Sequence, residues 1–189
     1  MNVLCVDTSG DKIALALAKG DERYTFISAE NSKKHNSLLL SYIDNMLIEH
    51  ALKLSDIDYF GVNVGPGSFT GIRVGVATVN AFALALQKNV VEVTSLEQLF
   101  DGDDALSMLD CKHGNYYCAL KRNNEISYLA LNEKEITDYT EKKLELTKPL
   151  PNKLLEKTLE KIKAKQFVKQ AKPFYLKKTS AERETGIDA

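Results

Sequence analysis

The sequence predicts an α/β protein of two unequal lobes, and three observations carry that prediction. Three apolar runs near the N-terminus are separated by Gly-Asp turns, a glycine-rich loop then opens a helix free of charge, and a fainter version of the same order follows residue 95. At 189 residues, 44% of them apolar, the chain can bury a sizeable core as one compact unit or two small lobes.

Runs 3–6, 13–18 and 24–28 alternate or stay apolar and are punctuated by Gly10-Asp11 and Gly20-Asp21, so they read as a three-strand meander. An amphipathic helix over 37–52 follows. On it Leu39, Leu40, Ile43, Met46 and Leu47 form a core stripe, and Leu38, Tyr42 and Ile48 extend the apolar surface beyond it. A fourth strand, 59–64, runs into Gly65-Pro66-Gly67, where glycine opens backbone angles closed to other residues and Ser68 or Thr70 can cap the next helix.

That next helix is the most informative element, because no charged residue stands between Arg73 and Lys88. A helix apolar on every side must be covered on every side, so a second surface has to meet the face its own sheet leaves bare. Gly71, Gly75, Ala77, Ala81, Ala83 and Ala85 keep it flat enough for another helix to approach at about 8 Å, with Val79 and Phe82 beside them. A fifth strand, 90–94, completes a βββαβαβ unit, which is the half-unit of the actin-like, RNase H-like fold.

The second half restarts with a short helix at 95–100, strands at 105–110, 116–121 and 126–131 with an Asn123-Asn124 turn, and a lysine-faced helix at 152–165 that turns Leu154, Leu155, Leu159 and Ile162 inward. The expected division is therefore 1–95 for the first lobe and 96–189 for a smaller, reduced second lobe. Seven of the ten glycines precede residue 76, and the second half has no Gly-Gly pair against which an adenosine could lie.

Several chemistries are weighed against these residues. The Gly65 loop lacks the Lys-Ser or Lys-Thr of a phosphate loop and the spacing of a dinucleotide loop, so a tight turn and an anion-holding helix start both stay open for Asp7, Thr8, Ser9, Gly67 and Ser68. An Asp-Thr-Ser turn also forms for hydrogen-bonding reasons alone. His35 and His50 stand near opposite ends of one helix and His113 elsewhere, which does not make a metal site. Ser68 follows Gly67 directly and breaks the G-x-S-x-G pattern of a serine nucleophile. Cys5, Cys111 and Cys118 form no CxxC pair and read as reduced thiols. The uncharged run 74–87 is too short to span a bilayer and the N-terminus enters a strand, so a soluble cytoplasmic protein is expected.

Net charge is −1, yet residues 1–141 hold 12 basic and 20 acidic side chains while 142–178 hold 12 basic and 3 acidic. Clustered lysines can lean on a phosphate backbone or be a solvated helix face.

Three motifs together, GPGSFTGIRVG at 65–75 with its Ala-rich helix, Asp7-Thr8-Ser9 after the first strand, and Pro173-Phe174-Tyr175-Leu176-Lys177, resemble the TsaB (YeaZ) family in a short form. The similarity is strong over the first half and thin afterwards. It implies the duplicated actin-like (RNase H-like, ASKHA) fold and a non-catalytic partner of TsaD, the enzyme that completes N6-threonylcarbamoyladenosine (t6A) beside the tRNA anticodon. It further implies pairing through the two apolar helices, here Leu38, Tyr42, Ile48, Gly71, Gly75, Ala77, Val79, Ala81, Phe82 and Ala85, with TsaD or with a second copy of the chain. Recruitment of TsaE, indirect contact with tRNA and no membrane belong to the same expectation. No cofactor of its own is expected, only weak ATP or ADP binding at the complex interface. Asp7 stands where actin-like ATPases carry a phosphate-facing acid, which keeps a small independent ATPase or kinase as the alternative. Asp110-Cys111-Lys112 occupies the place of the family's Asp-Ala-Arg, and Lys112 cannot supply that arginine's bidentate grip.

Overall fold

The computed structural model describes residues 1–29 and 35–176. Its strands form two sheets. The first has the order β3-β2-β1-β4-β5, from β1 (Asn2–Asp7), β2 (Ala14–Lys19), β3 (Glu22–Ile27), β4 (Tyr59–Gly65) and β5 (Asn89–Thr94). β1, β2 and β3 pair antiparallel, whereas β1 with β4 and β4 with β5 are parallel and need crossovers. α1 (His35–Glu49) and α2 (Phe69–Leu86) are those crossovers.

Both faces of this sheet are covered, which is why β1 and β4 read as nearly unbroken apolar runs. α1 and α2 seal one face, where Leu4, Leu15, Leu17 and Phe60 pack with Leu39, Ile43, Ile72 and Val79. On the other face Val3, Cys5, Ala16, Val91 and Val93 meet Leu154 and Leu155 of α4 (Pro151–Lys163). Gly61 permits this approach, since a Cβ there would stand 2.5 Å from Thr158 Oγ1. The edge strand β3 instead alternates, turning Tyr24 and Phe26 toward the α1 side.

The second sheet, β8-β7-β6-β9, consists of β6 (Ala105–Asp110), β7 (Asn115–Arg122), β8 (Glu125–Asn132) and β9 (Lys142–Glu145). Its pairing repeats the first four positions of the other sheet: two antiparallel pairs and then a parallel one. α3 (Glu133–Ile136), capped by Asn132 and Glu135, stands where α1 stands in the first unit. The Asn123-Asn124 turn has both residues in the left-handed region, φ 51° and 66°, as a two-residue hairpin requires. This duplicated arrangement is the actin-like fold with a reduced second half.

Several expectations shift. The helix at 95–100 is a 3-10 turn, Glu97–Leu99. β9 and α3 have no counterpart in the sequence reading. α2, at 18 residues and mean hydropathy 1.5, is longer than the uncharged run and as long and apolar as a membrane-crossing helix, yet its inner face is seated on the sheet. α4 follows the second sheet in the chain but packs on the first. A strap after α4 returns there too: Val168 and Val90 exchange backbone bonds at 2.8 Å, and Phe174 N donates to Val64 O at 2.8 Å.

Candidate docking face and loop cluster

Two loops meet at the ends of β1 and β4. Asp7 Oδ1 accepts from Ser9 N at 2.8 Å and Ser9 Oγ at 2.7 Å, and its Oδ2 accepts from Asn63 Nδ2 at 2.9 Å. Asn63 Oδ1 accepts from Gly65 N at 2.9 Å, and the Ser95 hydroxyl lies 3.0 Å from that oxygen and 2.7 Å from Pro66 O. Thr8 Oγ1 donates to Gly71 O at 2.6 Å, Ser68 N donates to Ser9 O at 2.6 Å, and Ser68 Oγ caps Gly71 N at 3.2 Å.

The structure thus brings together all five candidate anion-site residues, Asp7, Thr8, Ser9, Gly67 and Ser68. In it the Thr8, Ser9, Asn63 and Ser95 side-chain donors and the Ser68 N–H already have internal acceptors. Gly67 is held so close that a Cβ would meet Ser9 O at 2.5 Å. Asn63 and Ser95, both buried, complete the network and were missed by sequence reasoning. A single polar residue inside the apolar strand YFGVNVG was the available signal for Asn63.

The faces of α2 divide differently from expectation. Gly71 and Gly75 do not leave a flat outer surface, because they press against the turn that follows β1: Cβ atoms there would stand 2.0 Å from Thr8 O and 2.4 Å from Thr8 Oγ1. Val79 is likewise fully buried in the protein's own core. Leu38, Tyr42 and Phe82 are half-buried against that core, Tyr42 beside Phe26 and Phe82 beside Phe60. Ala77, Ala81 and Ala85 do face outward. Leu84, 82% exposed, joins them and was missed, though the phase of Ile72, Val76, Val79 and Ala83 on the inner face would have placed it outside. On α1, Ile48 is 75% exposed, and Leu40, expected in the core, is 53% exposed.

The result is an exposed apolar row on α2, with Leu40 and Ile48 exposed on the neighbouring α1 at either side of Asp44. Its N-terminal end is closed by the strap: the Arg73 guanidinium lies 3.9 Å over the Phe69 ring, and Arg73 Nε donates to Tyr175 Oη at 3.0 Å. Asn80 fixes the strap with a reciprocal pair, donating to Ala171 O at 2.9 Å and accepting from Ala171 N at 2.8 Å.

Three lysines of the lysine-rich segment, all on α4, are committed to ion pairs within the fold. Lys153 pairs with Asp101 and Glu156, Lys157 with Glu160 at 3.0 Å, and Lys161 with Glu97 at 2.7 Å. The Lys153 ammonium holds the Asp101 carboxyl below its ordinary value. Asp110 Oδ1 accepts from Lys112 N at 2.6 Å and shapes the β6–β7 turn, where Lys112 and His113 both have positive φ. His50 stacks on Tyr24 with ring centroids 3.6 Å apart. Among the described residues no group of His, Cys, Asp or Glu converges as metal ligands. The His35 side chain and Lys177, the last residue of the late motif, lie outside the described residues.

The family model for tRNA N6-adenosine threonylcarbamoyltransferase (TsaD) matches residues 26–185. The chain is similar to tRNA threonylcarbamoyladenosine biosynthesis protein TsaB of Haemophilus influenzae, 27% identical over 62% of this chain and 52% of the relative. It resembles the protein of that name in Bacillus subtilis at 29% identity over 64% of this chain and 55% of the relative. The chain spans about half the length of the curated relatives it matches. YeaZ from Pseudomonas aeruginosa shares the fold, with a TM-score of 0.73 at 22% identity over 93% of this chain and 99% of that one. With the loop motif, the duplicated strand order and these matches in agreement, the chain belongs to the TsaB (YeaZ) family, within the group that the TsaD family model describes.

Proposed function

We propose that this protein is a non-catalytic scaffold of tRNA t6A modification that docks a TsaD homologue through the outer face of α1 and α2. The observation that carries this reading is the exposed apolar row Ala77, Ala81, Leu84 and Ala85 on α2, with Leu40 and Ile48 exposed on α1. Exposed apolar residues gathered on two helices, rather than scattered, mark a surface built to be covered. A second copy of the chain covers it when TsaD is absent, since similar folds offer similar patches. TsaE joins the assembled pair, tRNA is handled mainly by the partner, and the work takes place in the cytoplasm. ATP or ADP has at most a weak place at the interface of the complex. The closed network around Asp7 supports a structural role for that acid over independent ATP turnover.

Mixing with a TsaD homologue and reading mass by light scattering tests the proposal. A one-to-one complex is expected, and Ala81→Glu should abolish it, because a carboxylate trapped unpaired costs several kcal/mol, roughly 3 or more. The same substitution should leave monomer stability within about 0.5 kcal/mol, as exposed sites usually do. A complex that survives Ala81→Glu would remove this face from the interface. ATP hydrolysis by the purified chain alone would favour the small ATPase or kinase instead.

A further inference from the structure

At the β5 edge of the first sheet, an open cavity of about 580 Å³ lies between the end of α4, the strap and Tyr128 of β8. A neighbouring cavity of about 250 Å³ shares Glu97, Lys161 and Gln166 with it. The larger volume falls within the usual range of small-molecule sites, roughly 300 to 1,000 Å³. None of the Asp7–Ser68 loop cluster and none of the outward residues of α1 and α2 lines it.

Two kinds of wall meet there. One is apolar and aromatic, with Phe167, Pro173 and Phe174 beside the Tyr128 ring, whose centroid is 4.8 Å from that of Phe174. The other is cationic, with Lys161, Lys165 and Lys172. Both carboxylates at the cavity are engaged: Glu97 by Lys161 at 2.7 Å and by Thr94 N at 2.7 Å, and Glu92 by Lys172 N at 2.6 Å. Lys161 is therefore neutralised, whereas the ammonium groups of Lys165 and Lys172 have no partner among the described residues.

We propose that this cavity binds a small phosphate ester carrying a flat aromatic group, of the size of a nucleoside monophosphate. The ring is held by the aromatic wall, as bases are on Phe and Tyr elsewhere, and the phosphate by Lys165 and Lys172. A longer nucleic acid fits the observations less well. Lys153, Lys157 and Lys161, which follow one another along α4 at four-residue steps, are each paired with a carboxylate and would have to give it up. Because Tyr128 comes from the second sheet and Phe174 from the strap, the bound ligand would bridge the two lobes.

Calorimetric titration of the full chain with AMP, adenosine, inorganic phosphate and a short oligouridylate tests this. AMP should bind at least about tenfold more tightly than phosphate or adenosine, since each carries only one of the two recognised groups. Lys165→Gln with Lys172→Gln should weaken AMP about tenfold or more and leave adenosine unchanged, these being charge-assisted contacts. Both lysines are exposed, so an unchanged thermal melt will verify the fold of the variant. AMP binding no tighter than phosphate, AMP binding indifferent to the double substitution, or oligouridylate binding tighter than AMP and lost on Lys157→Gln with Lys161→Gln would each overturn the proposal.

Discussion

The first sheet carries five strands under helices on both faces, whereas the second, among the described residues, repeats four of those positions with a one-turn helix and no fifth strand. Their cores differ accordingly. The first sheet is flanked by a large cluster through α1 and α2 and another through α4, while among the described residues each face of the second has a cluster of only four buried apolar residues. Since local stability follows buried apolar contact, the first lobe is the rigid platform and the second the part that opens more readily. The difference also shows where the chain invests close approach. Gly61, Gly67, Gly71 and Gly75 admit close neighbours in the first lobe, backbone at Gly67 and Gly71 and side chains at Gly61 and Gly75, whereas Gly114 of the second sheet meets nothing nearer than 3.5 Å.

The sharpest way to break this comparison is to fill one of those contacts. Gly71→Ala places a methyl where Thr8 O stands 2.0 Å away, and should cost about 3 kcal/mol or more in urea unfolding, at the upper end of overpacking penalties. An unchanged midpoint would mean that α2 is not seated on the turn after β1 as described.

Next in size is Leu154→Ala, which empties a fully buried position and should cost about 2 to 4 kcal/mol. Its hydrogen-exchange signature is the sharper readout. Protection should fall in β1, β2 and β5, not in β6 to β8, although Leu154 belongs by sequence to the second half. Loss confined to the second sheet would reverse the assignment of α4.

Alkaline titration separates the lobes by their buried acids. Burial pushes the Cys5 thiol up to about 12, Cys118 up to about 11 and Tyr128 up to about 12. The fold thus favours their neutral forms. The stability they contribute is complete below the unfolded values, near 9 for the thiols and 10 for tyrosine, and is lost as pH climbs toward the folded values. At pH 10, Cys5 alone should account for a loss of roughly 1 kcal/mol relative to pH 8. Cys5→Ala should flatten that part of the profile, and an unaltered slope would show that the thiol is reached by water.

The smallest effect belongs to the ion pair that ties α4 to the turn between the lobes. Lys161→Gln removes the partner of Glu97 at a half-buried site and should cost about 0.5 to 1 kcal/mol, less in high salt. A loss several times larger would make this pair a principal tie between the halves.

Much of the first lobe was legible because its elements are local. The turns at Gly10 and Gly20 and the alternation of apolar residues placed β1, β2, β3, β4 and β5 within a residue or two, and the glycine loop marked where α2 begins. β9 was illegible because Lys142-Lys143-Leu144-Glu145 offers one apolar residue, and its pairing with β6 is what makes it a strand. The faces of α2 were blurred because every position is apolar or small, so composition carries no phase and only the sheet decides which side is inside. The loop cluster was half legible: Asp7, Ser9 and Ser68 advertise themselves, but Asn63 and Ser95 join them across 32 residues or more of separation. The partner surface of α4 lay beyond sequence reasoning, because an amphipathic stripe does not say which of two sheets it meets.

That last point has a consequence for synthesis on the ribosome. The five strands and two crossovers of the first sheet are all made by Thr94, yet one side of that sheet, lined by Val3, Cys5, Ala16, Ala18, Val91 and Val93, stays uncovered until Leu154 and Leu155 emerge. Some sixty residues of chain, the whole second sheet among them, must be translated while that greasy surface faces the cell. Nascent chains of this protein should therefore lean on a chaperone during that interval, and release from it should coincide with the appearance of α4.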